Sequence, residues 1–241
     1  RVLGEFPSTA DNTVCSLAAV EAAQRNRIVP SPSPVIVSCD PARFGSAETA
    51  IAVRRGMQVR IAATAQGHDT MRTAGTMLRI AREEVLRGPE RPVLVVDDIG
   101  LGGGITDRLK EIGEFPVRPF NAAAAARDRK EYPNKRSEMW FDFSERLTDI
   151  DLDDDEQLAA DLVAPTYKID SDGRRVVEPK ADTKKRLGRS PDRADAVLMA
   201  FAETSGNAGS ISAAGFGPEP EYVSGDIRRR GKKYIDQDPR R

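Results

Sequence analysis

Apolar and polar positions along this chain alternate with two periods, and the switches between them mark the elements. VIVSCD at 35–40 is a short apolar run ending in a carboxylate, which predicts a buried strand. ETAIAVRRG (48–56) and MQVRIAATA (57–65) predict two more strands, joined in a hairpin at Gly56. From Thr70 to Arg87 the apolar positions Met71, Ala74, Met77, Leu78, Ala81 and Val85 keep a helical period, and Gly88-Pro89 stops it. VLVVD (93–97) predicts a second buried strand, after which a glycine-rich turn leads into a helix beginning near Ile105. FPVRPF (115–120) predicts a third inner strand.

The second half reads as mainly helical. Asn134 to Leu147 predicts a helix with Met139, Trp140, Phe143 and Leu147 on its inner side. DLDDDEQLAADLV (151–163) opens on acidic residues, which suit the positive end of a helix dipole. TYKIDSDGRRVVE (166–178) predicts a hairpin turning at Asp172-Gly173. Thr183 to Arg186 leads into a last helix with Ser190 as N-cap, Pro191 in its first position and Asp192 in its first turn. Ahead of all these, a short helix from Leu17 to Asn26 precedes a proline-punctuated stretch, PSPSP, at 30–34. The pattern predicts an α/β fold, a mixed central sheet with helices on both faces. The folded domain is expected over 35–205, with a joining segment at 1–34 and a mobile tail at 206–241, Gly/Ser-rich and then basic.

Composition narrows the function. The 241 residues carry 37 basic and 38 acidic side chains, a formal net charge of -1. That balance excludes a polycation that coats nucleic acid by bulk charge, so any polyanion must meet local patches. Cys15 and Cys39 make no disulfide framework and no metal-type spacing. The single histidine, His68, reads as a surface loop residue and argues against His-based catalysis, and Trp140 reads as core. No apolar run reaches membrane-spanning length and no signal peptide opens the chain, so the expected setting is intracellular and reducing.

The chemistry lies in the carboxylates. Asp40 and Asp97 each end an apolar strand run, and adjacent strands would bring them out side by side at one sheet edge. A carboxylate placed directly after apolar residues is costly unless it is paired, hydrogen-bonded or on a metal, and two together need a cation between them. Asp195 lies one turn into the last helix, with Asp192 three residues earlier on the same face. An all-oxygen site of this kind suits Mg²⁺ or Mn²⁺ and not zinc. Asp98 is expected to point to the opposite side from Asp97. IGLGGG (99–104) lacks the Lys-Ser/Thr of a Walker loop and reads as a strand-to-helix turn. Basic residues gather at Arg54/Arg55/Arg60, at Arg127/Arg129/Lys130/Lys135/Arg136, and at Lys180/Lys184/Lys185/Arg186/Arg189. The last group precedes the Asp192/Asp195 helix, where cations would serve a phosphate backbone, so these five are the expected backbone-phosphate contacts.

Four segments in order, CDPARFGSAETAIAVRRG, VVDDIGLGGGITDRL, YPNKRSEMW and LGRSPDRADAVLMAF, resemble the nuclease domain of the large terminase subunits of tailed bacteriophages. The opening RVLGEFPSTADNT is similar to the stretch that joins a packaging ATPase to that nuclease, and the resemblance covers about residues 1–203. It implies a ribonuclease H-like fold and a metal-dependent endonuclease that cuts concatemeric double-stranded DNA at the start and end of head filling. It places the three catalytic acids on Asp40, Asp97 and Asp195, with Asp192 as an accessory metal or water-positioning group. Two Mg²⁺ or Mn²⁺ ions would be held, Asp40 bridging both while Asp97 and Asp195 each complete one coordination sphere. The implied partners are DNA, a portal protein and a small terminase subunit, with no membrane; the implied location is the cytoplasm of an infected bacterium. Walker A and B motifs are absent, so the chain resembles only the C-terminal half of a terminase, and no ATPase activity is expected from it. The alternatives are a junction-resolving or ribonuclease H-type nuclease, a non-catalytic docking module, or, on the glycine loop alone, a nucleotide-binding domain.

Overall fold

The computed structural model describes residues 12–29, 34–42 and 47–202. The opening segment 1–11, most of the PSPSP stretch, residues 43–46 (RFGS) of the first family-like segment and the tail from 203 lie outside the described residues. The sheet grows from β1 (Val35–Asp40), whose six positions are all buried. β1 pairs antiparallel with β2 (Thr49–Arg55) on one side and parallel with β4 (Val93–Asp97) on the other. β2 turns at Gly56 (φ 63°) into β3 (Gln58–Ala65), as the hairpin reading requires. β5 (Val117–Phe120) joins β4 in parallel, and β6 (Asp151–Leu152) joins β3 in parallel, giving the order β5-β4-β1-β2-β3-β6 among the described residues.

Because successive strand residues point to opposite faces, the apolar runs feed two cores. Val37, Cys39, Ile51, Val53, Leu94 and Val96 pack on one face against α2 (Thr70–Leu86) and α3 (Gly102–Ile112). Ile36, Ala50, Ala52, Val93 and Val95 face the larger core. That core takes in α1 (Leu17–Arg25), α4 (Lys135–Ser144), α5 (Glu156–Val163) and α7 (Asp192–Ala202). Trp140 is fully buried there, as expected. No described helix is long and apolar enough to cross a membrane.

Several local expectations are corrected. In α2, Met71 and Val85 are exposed, while Ile80 and Glu84 turn inward with Ala74, Met77, Leu78 and Ala81. The ion pairs that Glu84 makes, described below, rotate the buried face away from the purely apolar reading. α3 begins at Gly102, three residues before Ile105. The stretch before the last helix is a helix of its own, α6 (Lys180–Leu187), ended by Gly188 at φ 77°. α7 starts at Asp192, and the Pro191 carbonyl accepts from the Asp195 N–H at 3.1 Å, so Pro191, not Ser190, stands at the helix entry.

Residues 12–28, within the expected joining segment, pack onto the β6 edge. Ser16 caps α1 by accepting from the Ala19 N–H, and Val20 and Ala23 are fully buried. Asn26 donates to the Ile150 carbonyl at 2.7 Å, and the Ile28 N–H donates to Asp151. Just upstream, Thr13 bridges Thr166 in antiparallel fashion, the Val14 N–H donates to the Pro165 carbonyl and the Tyr167 N–H to that of Asn12. This stretch thus lies alongside the hairpin of β7 (Tyr167–Ile169) and β8 (Arg175–Val177).

Candidate active site

Asp40 and Asp97 stand where the strand reading placed them. Cys39 is in register with Val96, so the next residue on each strand leaves the sheet beside the other. Both lie on the α7 face, continuing the alternation of Ile36 and Ser38 on β1 and of Val93 and Val95 on β4. Ser38, fully buried, donates its hydroxyl to the Ala196 carbonyl at 2.6 Å and ties β1 to α7 beside Asp195. Asp40, Asp97 and Asp195 line one cleft of about 470 Å³, with Phe120, Met139 and Met199 among its apolar walls. Asp98 is exposed and outside this lining, consistent with the expectation that it points elsewhere.

The glycine loop after β4 is a positioning device. A Cβ on Gly102 would lie 1.5 Å from the Asp97 carbonyl oxygen, so only glycine lets α3 begin this close to the strand end. The Ile99 N–H donates to Asp97 Oδ1 at 3.2 Å, fixing the carboxylate from the same turn.

Lys180, at the start of α6, occupies the centre of the acids. Its Nζ lies 2.7 Å from Asp40 Oδ2, 2.9 Å from Asp195 Oδ2 and 3.2 Å from Asp192 Oδ1. Arg136 takes the other Asp195 oxygen, Nη1 to Oδ1 at 2.9 Å. The second Asp192 oxygen accepts from the Glu48 N–H at 3.0 Å, and Asp192 does not line the cleft. Like charges brought together out of water require a cation among them, and here the chain's own ammonium supplies it. Among the described residues no three acidic, thiolate or imidazole groups stand close enough to hold a metal ion as they are.

The electrostatics follow from this packing. Burial, reinforced by Asp195 and Asp192 and opposed by Lys180, pushes Asp40 up to about 7. Burial also raises Asp97, against the Ile99 N–H and the Lys180 charge. For Asp195 burial acts upward too, but Lys180 and Arg136 together outweigh it and hold the carboxyl below its usual range. Lys180 is pushed down by burial, yet the three acids win and hold it well above an ordinary lysine.

The five expected DNA contacts separate. Lys184 and Lys185 are exposed on α6, and Lys185 Nζ lies 3.4 Å from Asp182. Arg186 pairs with Glu178 and donates to the Ala164 carbonyl at 2.6 Å; Arg189 pairs with the fully buried Asp161. Lys180 is drawn into the acid cluster. Elsewhere, Arg54 is buried, donating to the Gly56 and Ala200 carbonyls. Arg55, Arg60 and Arg87 converge on Glu84, whose side chain is 2% exposed. Sequence reading missed the special positions of Lys180 and Arg136, because each sits in a basic run that looks solvated. The pairs at Asp192 and Asp195 need a binding cation, but only tertiary packing says which one.

Neither a protein-family model nor a curated protein sequence matches the chain. Solved structures do. The nuclease domain of the large terminase subunit gp2 of bacterial virus Sf6 superimposes with a TM-score of 0.67 at 21% identity, over 78% of this chain and 98% of that one. A mutant form of that domain with manganese gives 0.66 at 20% identity, with the same coverage. The large terminase nuclease of the thermophilic phage G20c with bound magnesium gives 0.53 at 13% identity, over 81% of this chain and 98% of that one. On this likeness the chain, with its mixed six-stranded sheet among the described residues, has the ribonuclease H-like fold of the nuclease domains of terminase large subunits.

Proposed function

We propose that this chain is the endonuclease of a viral DNA-packaging terminase, hydrolysing phosphodiester bonds of concatemeric double-stranded DNA. The observation that carries the reading is the meeting of Asp40, Asp97 and Asp195 in one cleft, on a fold shared with terminase nuclease domains. The related structures hold manganese or magnesium, and the donor set here is oxygen alone, which suits those hard ions. The centre also already accommodates a positive charge, that of Lys180. Asp40, Asp97 and Asp195 are the residues to hold Mg²⁺ or Mn²⁺, two ions in this reading, with Asp192 in support. Bound there, such ions polarise the phosphodiester, activate water and stabilise the leaving oxygen.

The chain's own residues supply the rest. Ser38 and Gly102 fix the strand ends from which the acids project. Lys180 holds Asp40, Asp192 and Asp195 together and must yield its place for ions to enter between them. Lys184 and Lys185, exposed on the same helix as the cleft-lining Lys180, meet backbone phosphates, and Arg186 and Arg189, paired with Glu178 and Asp161, add positive charge to that segment. Contacts of this kind carry little sequence information, so cutting shows little sequence preference. A portal protein and a small terminase subunit are the partners in the packaging motor, in the cytoplasm of the infected bacterium.

The test is nicking and linearisation of supercoiled plasmid with Mn²⁺, Mg²⁺ or chelator, comparing the chain with Asp40→Asn. Metal-dependent cutting that disappears in the variant is expected. No cutting, together with no divalent-ion binding by calorimetry, overturns the reading in favour of a non-catalytic docking module.

A further inference from the structure

Arg136 has more donors than the protein uses. A guanidinium carries five N–H groups in a planar fork. Nη1 is committed to Asp195 Oδ1, but Nε and Nη2 are buried with no hydrogen-bond partner. Buried N–H groups are almost always paired, so two unpaired ones on one side chain call for an acceptor from outside the chain. The side chain as a whole is 14% exposed, and its guanidinium lies 5.7 Å from the centre of the Trp140 ring.

Its position defines the acceptor. Arg136 and Asn134 line the acidic cleft and also a second cavity, of about 490 Å³, beside the β7–β8 hairpin. The two spaces therefore adjoin at Arg136, and a strand leaving the carboxylates toward the hairpin passes it. The acids on the second cavity are otherwise engaged. Glu178 accepts from Thr183, Arg186 and the Thr166 N–H, and Asp182 lies near Lys185. The partner that fits a planar fork in a nucleic-acid groove is a phosphate, whose oxygens match it two at a time.

Resting on the nuclease reading above, we propose that Arg136 binds a backbone phosphate of the DNA strand where it runs from the acidic cleft toward the hairpin. Its bond to Asp195 then links strand position to the geometry of a catalytic acid.

Anisotropy of a short fluorescein-labelled duplex, titrated in chelator over a series of salt concentrations, tests this without any cleavage. Arg136→Gln is expected to weaken binding and to reduce the slope of log affinity against log salt by about one, as loss of one phosphate contact requires. Arg136→Lys, which keeps the charge, is expected to retain the slope. In NMR spectra the Nε–H resonance missing from Arg136→Lys identifies that of Arg136, and in the wild-type chain it should shift when duplex is added in chelator. An unchanged slope in Arg136→Gln overturns the proposal even when plasmid cutting is intact. Should that variant fold poorly, a resonance that duplex does not move overturns it equally. An Arg136-dependent slope in a chain that neither cuts DNA nor binds divalent ions leaves the phosphate contact standing and removes the nuclease reading instead.

Discussion

The ammonium of Lys180 lies 2.7 Å from Oδ2 of Asp40, a residue 140 positions earlier in the chain. The contact closes a circuit: a strand end from the first half of the domain meets the start of a helix from the second. Asp192 and Asp195 share the same ammonium, so it neutralises acids from two elements at once.

Removing that cation leaves three carboxylates facing one another. Lys180→Met is expected to lower stability in chelator by about 1–3 kcal/mol, less than for a fully buried pair because Lys180 is 37% exposed. Mn²⁺ should then raise the melting temperature of the variant more than that of the wild type, since the ion replaces the lost charge. Thermal melts with and without Mn²⁺ measure both. A variant as stable as wild type in chelator contradicts the role given to Lys180.

Asp40 makes the metal-free fold sensitive to pH. Burial raises its carboxyl in the folded state to about 7, from the 3.8 of an ordinary aspartate. The folded chain therefore holds a proton that the unfolded chain has released, and stability falls as pH rises through this window. The contribution is complete below about pH 4 and lost above about pH 7. Asp40→Asn mimics the protonated form. In chelator it should melt with the wild type at low pH and above it, by at least a few degrees, at pH 8. Equal melting temperatures at pH 8 would show that Lys180 compensates the ionised carboxylate fully.

Two neighbouring glycines should respond in opposite ways. Gly102→Ala drives a Cβ into the Asp97 carbonyl, so α3 or the β4 end must move. A loss of more than about 2 kcal/mol and of most plasmid cutting is expected. At Gly103 the nearest atom to an added Cβ is Asp98 Oδ1 at 4.0 Å. Gly103→Ala should be neutral, or stabilising by up to about 1 kcal/mol through helix propensity. Chemical denaturation of the pair checks the sign of each.

On the far face, Glu84 gathers three guanidiniums in a nearly closed site. Glu84→Gln leaves Arg55 and Arg60 without their counter-charge and should cost about 3–5 kcal/mol by denaturant unfolding. Cutting by the remaining folded protein should be unchanged, because this cluster lies across the sheet from the acids. A Gln variant with wild-type stability would show the arginines are satisfied elsewhere.

The sequence made the acids legible because each marks the end of a strong local pattern. Val35 to Cys39 and Val93 to Val96 identify buried strands on their own, and the carboxylate that follows is conspicuous. The adjacency of the two strands was a condition of that reading, and the parallel pairing of β1 with β4 meets it. β6 escaped notice because Asp151 and Leu152 have no periodicity of their own; their strand character comes from Gln58 and Val59. The buried face of α2 was misjudged for a similar reason, since Glu84 faces inward only because arginines from β2 and β3 meet it there. Lys180 and Arg136 were equally hidden: a lysine or arginine within a basic run gives no local sign of which member is folded inward.

The antiparallel contact of Thr13 with Thr166 also has a mechanical meaning. Hydrogen bonds at Asn12 and Val14 flank it, so chain entering at residue 12 is fastened to the hairpin before it reaches the core. A pull on that entry point loads these bonds first and is felt at β7, beside the cavity that Arg136 borders. Asn12, Tyr167 and Val177 line that cavity together, so the entering strand and the hairpin form one continuous wall of it.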